Sequence, residues 1–349
     1  MKRTKLILKR ILLTIAVVLI AFGIGYGAYY TYTERVRETN NAPQVFASNR
    51  MLLELWGDYK LSALEPGSNR TLDKSAKNIT TSEGQSYTMM RSVWMDDIDT
   101  FDKSWQWTKD NLQRDDMLMS WKFGDLGDGR YGILEAEGGQ NTATDADVDI
   151  AFALLMASGR WKDEKYIADA RPIVQAIWEK EVVVINGKPI LAANDIERND
   201  LSSIIVNPSY FSPYAYRAFA KLDPTHDWNA LVDSSYDILL ESSELPLDKA
   251  TSSGLTPNWI RVNRTTGAVI PSPEYNSNYG FDALRTPWRM ALDWSYHKEP
   301  RAKEVLSKLS VLETEWRNKG KLAAEYSHDG IPTVNYSTAA LNGASMPYF

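Results

Sequence analysis

Apolar side chains recur at three- and four-residue spacing through almost all of the chain beyond residue 46. In residues 163–180 they fall at Tyr166, Ile167, Ala170, Ile173, Val174, Ile177 and Trp178, one face of a helix. The same pattern predicts helices near 47–63, 83–95, 98–113, 146–158, 211–222, 228–241, 287–296 and 301–317. Pro172 inside the 163–180 run predicts a kink or a break. Strand signals are few. Val182-Val183-Val184-Ile185 followed by Asn186-Gly187 suits a type I′ hairpin, and residues 267–270 form a second short candidate. Strands and helices do not alternate, which argues against a doubly wound sheet or a (β/α)8 barrel. No repeat of 20–50 residues is visible, which argues against a solenoid. The expected fold is all-α: helix pairs in layers or a ring, with loops at the ends carrying function.

Ahead of this body lies an uncharged stretch, residues 11–30, reading ILLTIAVVLIAFGIGYGAYY. Twenty helical residues span about 30 Å, the thickness of the bilayer hydrocarbon. Residues 1–10 carry five basic and no acidic side chains, so they are expected to stay cytoplasmic and to direct the rest outside. The expected organisation is a basic segment (1–10), a single-pass anchor (11–30), a polar linker (31–45) and one exported domain (46–349). A signal peptide cleaved near Gly25-Tyr26-Gly27 is the alternative, and it too exports the body.

Composition narrows the chemistry. There is no cysteine, which excludes disulfides, thiol catalysis and zinc–thiolate sites. The three histidines, His226, His297 and His328, have no metal-binding spacing, so no metal site is expected. The whole chain has a net charge of −6, which leaves −11 on residues 11–349. That argues against a nucleic-acid partner and suits a neutral or cationic ligand. Tryptophan is abundant, at 12 of 349 residues.

Three carboxylate motifs precede predicted helices. In Thr81-Ser82-Glu83-Gly84-Gln85-Ser86-Tyr87, Ser82 and Gln85 read as a capping box with Glu83 in the first turn. In Ala143-Thr144-Asp145-Ala146-Asp147-Val148-Asp149, three alternating acids read as caps and dipole partners of the next helix. In Phe281-Asp282-Ala283-Leu284-Arg285-Thr286-Pro287, Thr286 suits an N-cap, Pro287 the first helical position, and Asp282–Arg285 an ion pair bracing the loop. Each has a local explanation. Together they supply paired carboxylates beside many aromatics. Cleaving a glycosidic bond takes one carboxylic acid to protonate the leaving oxygen and one carboxylate to activate water or to attack. Trp and Tyr offer flat apolar faces to sugar rings.

With these residues in view, the chain resembles glycoside hydrolase family 8. ATDADVDIAFALLMASGRW (residues 143–161) is similar to that family's signature segment, and SEGQSYTM to its general-acid motif. NPSYFSPYAYRAFA (207–220), GLTPNW (254–259) and FDALRTPWR (281–289) resemble its later blocks, in the same order, over roughly residues 46–349. The resemblance implies an (α/α)6 barrel, no cofactor, and inverting endo-hydrolysis of a β-1,4 glycan, cellulose or β-glucan first. Xylan and chitosan are the alternatives within the family; a non-catalytic glycan-binding protein is the alternative outside it. The resemblance assigns Glu83 as general acid, Asp282 as general base and Asp145 as the acid contacting sugar at the cleavage point. Arg285 would hold Asp282 and its water, and Trp121, Tyr210 and Phe211 would line the cleft. Phe281 and Asn258 stand where the family often has Tyr and Asp. A monomer is expected.

Overall fold

The computed structural model describes residues 50–127 and 129–348. The predicted basic segment, anchor and linker (1–10, 11–30 and 31–45) lie outside the described residues. No helix among the described residues is long and apolar enough to cross a membrane. Packing separates residues 1–57 from residues 58–349, which form the body of the protein. Helix α1 (Arg50–Ala63) straddles that boundary.

The body is mostly helical, with small sheets. Its main helices are α2 (Ser82–Trp94), α3 (Ile98–Asn111), α4 (Thr144–Trp161), α5 (Lys165–Glu181), α6 (Pro213–Leu222), α7 (Trp228–Glu244), α8 (Thr286–His297) and α9 (Pro300–Lys308). They pack as consecutive pairs: α2 on α3, α4 on α5, α6 on α7 and α8 on α9. The first members also touch each other in series, α2 to α4, α4 to α6 and α6 to α8. The inner row therefore repeats one chain direction, and its helix N-termini gather at one end.

The periodicity located these helices, with ends that differ by up to about three residues. α5 runs through Pro172 without ending, because its apolar face (Tyr166, Ala170, Ile173, Val174, Ile177) is fully buried and holds it in place. The run predicted over 301–317 is two helices, α9 and α10 (Ser310–Lys319), divided at Leu309. Leu309 is buried in a second apolar cluster with Leu255, Tyr279, Ala283, Leu312, Leu322, Tyr326 and Leu341. That cluster also anchors the turn carrying Asp282, because Tyr279 and Ala283 belong to it.

The predicted hairpin is present as β4 (Val182–Ile185) and β5 (Lys188–Leu191), with positive φ at both Asn186 and Gly187. Two further sheets were not predicted in full. β1 (Thr80–Thr81), β2 (Lys122–Gly127) and β3 (Arg130–Ile133) form one; β6 (Ser203–Val206), β7 (Ile260–Asn263) and β8 (Val269–Pro271) form the other, antiparallel throughout. Only β8 overlaps the candidate strand at 267–270. The first sheet leads directly into α2, and the second ends beside the loops that precede α6 and α8.

Candidate active site

Glu83 occupies the first turn of α2. Its N-cap is Thr81, whose Oγ1 accepts from Gly84 N at 3.0 Å, so the predicted Ser82–Gln85 box does not form. Gln85 instead accepts from Thr71 N and donates to Ser104 O and Thr108 Oγ1 in the interior. Gly84 is pressed between Thr71 and Thr81, where a Cβ would meet both side chains at 3.3 Å. This tight entry fixes the direction of the Glu83 side chain, which stays partly exposed.

The three aspartates of the second motif do not act as surface caps. The N-cap of α4 is Ala143, and Asp145, Asp147 and Asp149 are all buried. Three carboxylates inside a core must each meet a partner or hold a proton. Asp149 meets Arg289 in a two-pronged pair, both bonds 2.7 Å, with Tyr214 at 3.0 Å from the same guanidinium. Asp147 accepts from Met119 N at 2.8 Å and lies against Glu181. Asp145 faces Arg285, Nε to Oδ2 3.0 Å, but neither of its oxygens accepts an aligned hydrogen bond among the described residues.

Arg285 is the junction of the site. Its Nη2 lies 2.6 Å and its Nε 2.9 Å from Glu83 Oε1, and Nη1 donates to the Asp282 carbonyl at 2.9 Å. The predicted ion pair with the Asp282 carboxylate is therefore corrected: Arg285 grips that residue's backbone, while its charge faces Glu83 and Asp145. It is also the N-cap of α8, with Thr286 already helical. The Asp282 carbonyl accepts two more donors, Asn207 Nδ2 at 2.9 Å and Ser209 Oγ at 2.5 Å. The Asp282 carboxylate receives Trp259 Nε1 at 3.0 Å on Oδ2.

Tyr87 completes the cluster, donating to Glu83 Oε1 at 2.8 Å and accepting from Arg285 Nε at 3.2 Å. Tyr210 places its ring 5.0 Å from the Arg285 guanidinium and 5.8 Å from Trp259. Trp121, half-buried, is tied to the start of α2 by its carbonyl, which accepts from Ser82 N at 3.0 Å. Phe211 is corrected: it is buried in the main apolar core and offers no face to a ligand. Glu274, a carboxylate eight residues before Asp282, is exposed and paired with Arg261 at 2.9 Å. Sequence reasoning assigned no role to Tyr87 or Trp259, although both stand in the motifs it singled out.

One cation facing two carboxyls sets the protonation. Burial pushes the Glu83 carboxyl up, but Arg285 and the Tyr87 hydroxyl outweigh burial and hold it below its usual value. Burial raises Asp145 to about 7, with Arg285 opposing and the Glu83 charge adding to the rise. In this arrangement Glu83 is the ionised member and Asp145 the one that holds a proton near neutrality. Glu83 and Asp145 both stand in the first turns of their helices, whose positive ends favour negative charge.

Such a fold and site define a helix-pair protein with a carboxyl cluster and aromatics at one end of its inner helices. Comparison with known proteins agrees: the family described as Glycosyl hydrolases family 8 matches residues 36–346, and the chain belongs to that family. It is 30% identical to an endoglucanase of Cellulomonas uda over 239 residues, 66% of this chain and 61% of that protein. It is 27% identical to endoglucanase A of Acetivibrio thermocellus over 288 residues, 81% of this chain and 56% of that one. The chain thus spans somewhat over half the length of these relatives. The solved structure of the endo-beta-1,4-glucanase CMCax from Acetobacter xylinum shares the fold, with a TM-score of 0.73 at 23% identity, covering 88% of this chain and 89% of that one.

Proposed function

We propose that this protein is an inverting, endo-acting hydrolase of a β-1,4-linked glycan, with cellulose or a soluble β-glucan as substrate. The observation that carries the reading is the Arg285 guanidinium, which gathers Glu83, Asp145 and the backbone of Asp282 into one site. Family membership and endoglucanase relatives support the substrate class. The paired inner and outer helices support reading the body as an (α/α)6 barrel.

In this reading Glu83 is the general acid and Asp282 the general base. Asp282 offers Oδ1, which accepts no hydrogen bond among the described residues, to a water on the far side of the sugar. Glu83 has to acquire a proton before it can deliver one to the leaving oxygen. A glycan hydroxyl that draws Arg285 away from Oε1 removes the interaction that depresses Glu83, and the proton held on Asp145 then has a neighbouring acceptor. Trp121, Tyr210 and Trp259 supply aromatic faces or edges to the sugar rings.

We further propose that residues 11–30 remain attached and hold the domain on the outer side of the membrane. Their length and basic flank support this. Recovery of the protein in the medium with an N-terminus near Ala28 would reject it. For the activity, reducing ends released from soluble β-glucan, xylan and chitosan are compared. The reading expects β-glucan to be cut fastest; exclusive cutting of xylan or chitosan overturns the substrate, and no cutting of any overturns the enzyme.

A further inference from the structure

The Asn258-Trp259 dipeptide and the turn that carries Asp282 are held together at two points. Asn258 Oδ1 accepts from Gly280 N at 3.0 Å, and Asn258 N donates to Asn278 O at 2.6 Å. One residue on, Trp259 Nε1 donates to Asp282 Oδ2 at 3.0 Å. Three donors to its carbonyl immobilise the Asp282 backbone. Its carboxylate, by contrast, has this single indole donor among the described residues. Phe281, next to it, is 55% exposed and has no hydroxyl to add a second.

The indole cannot turn freely. Its ring sits 5.1 Å from Tyr275 at an interplanar angle of 31°, and 5.8 Å from Tyr210 at 71°. Its backbone runs into β7, where Ile260 pairs with Val206 of β6 and Pro271 of β8. An indole N–H is a donor with one direction and no acceptor capacity. A carboxylate bound to it through Oδ2 has its rotation fixed and leaves Oδ1 for the water.

We propose that Trp259 is a positioning residue for the base: its N–H aims the Asp282 carboxylate at the attacking water, a task separate from any sugar stacking by the same ring. This rests on Asp282 being the base. Asn258 serves the same end by holding the turn at Gly280, for which its side-chain oxygen suffices without charge.

The test separates the N–H from the ring. Trp259→Phe keeps an aromatic face between Tyr210 and Tyr275 and removes the donor. Replacing Trp259 with 3-benzothienylalanine, a near-isostere with sulfur in place of N–H, does so with almost no change of shape. Turnover of soluble β-glucan should fall about 10- to 100-fold in kcat for both, the worth of one hydrogen bond to a charged group. KM should stay within about twofold, since sugar contacts remain. Trp259→Ala should lower kcat and also raise KM. Asp282→Asn is measured alongside. If it turns over normally, the assignment of the base fails first. If it is inactive while the benzothienyl protein keeps the wild-type kcat, or shows only a raised KM, Trp259 is a sugar platform alone and the inference is overturned.

Discussion

Asp147 and Glu181 provide a stability test independent of catalysis. Both are fully buried, Asp147 in the first turn of α4 and Glu181 at the end of α5. Burial first, and then the neighbouring charge of Asp145, raise Asp147 to about 8, against the pull of Met119 N, Glu181 and Arg114. Burial and the Asp147 charge raise Glu181 further. The two carboxyls are therefore protonated in the folded protein where an unfolded chain has already lost its protons, above about pH 4. A folded state that binds the extra proton loses stability as pH rises. The Asp147 contribution is whole below pH 4 and is gone once pH passes 8, falling tenfold in the folding equilibrium per unit. Four units amount to about 5 kcal/mol at most, and local relaxation leaves about 2. Asp147→Asn keeps the oxygen that accepts Met119 N, supplies an N–H to Glu181, and does not titrate. Thermal unfolding followed by circular dichroism at pH 4 and pH 8, at one ionic strength, measures the difference. The variant should gain on the wild type by about 4 °C between these pH values, and by no more than about 10 °C, at about 2 °C per kcal/mol for a domain of this size. A difference in Tm that does not change with pH, or one that shrinks toward pH 8, refutes the reading that Asp147 is buried in its protonated form.

The same geometry makes further predictions. Tyr87→Phe removes a donor that lowers the Glu83 carboxyl, so the pH–activity profile should move to higher pH on the limb that Glu83 controls, with kcat reduced about tenfold. Arg289→Met strands the buried Asp149 carboxylate and should cost about 3–5 kcal/mol in urea unfolding, since one partner of a buried pair is left uncompensated. Glu83→Gln should lose about 10²–10⁴-fold on β-glucan and recover in part on a substrate with an activated aryl leaving group; Asp282→Asn should recover on neither. Equal losses for Glu83→Gln on both substrates would remove Glu83 from the role of acid.

Much of the helical layout was legible because apolar spacing is a local signal, and the Asn186-Gly187 turn because its left-handed backbone selects those residues. The β2–β3 hairpin was not legible: its strand Lys-Phe-Gly-Asp-Leu-Gly breaks the alternation with two glycines. β6 and β7 pair across more than fifty residues, and nothing in either segment names its partner. The carboxylate motifs were visible at once, but local capping rules misread them. Those rules presume solvent, whereas Asp145, Asp147 and Asp149 lie in the core, where Arg285, Met119 N and Arg289 decide what each does. Tyr87 and Trp259 were missed because their importance is a contact rather than a pattern. Tyr87 meets Arg285 from 198 positions away, and Trp259 reaches Asp282 across 23. Phe211 was placed in the cleft by resemblance, and a matching motif does not say which side of the turn faces the core, where Phe211 lies buried.

The central claim is that Glu83 and Asp282 act as acid and base on opposite sides of a glycosidic bond, with water as the nucleophile. Proton NMR of the first products released from a soluble β-1,4-glucan reads this directly, before mutarotation mixes the anomers. The account predicts that new reducing ends appear as the α-anomer and drift to the equilibrium mixture. First products in the β-configuration would mean that a protein carboxylate, not water, attacks the sugar, and the assignment of Asp282 would be wrong.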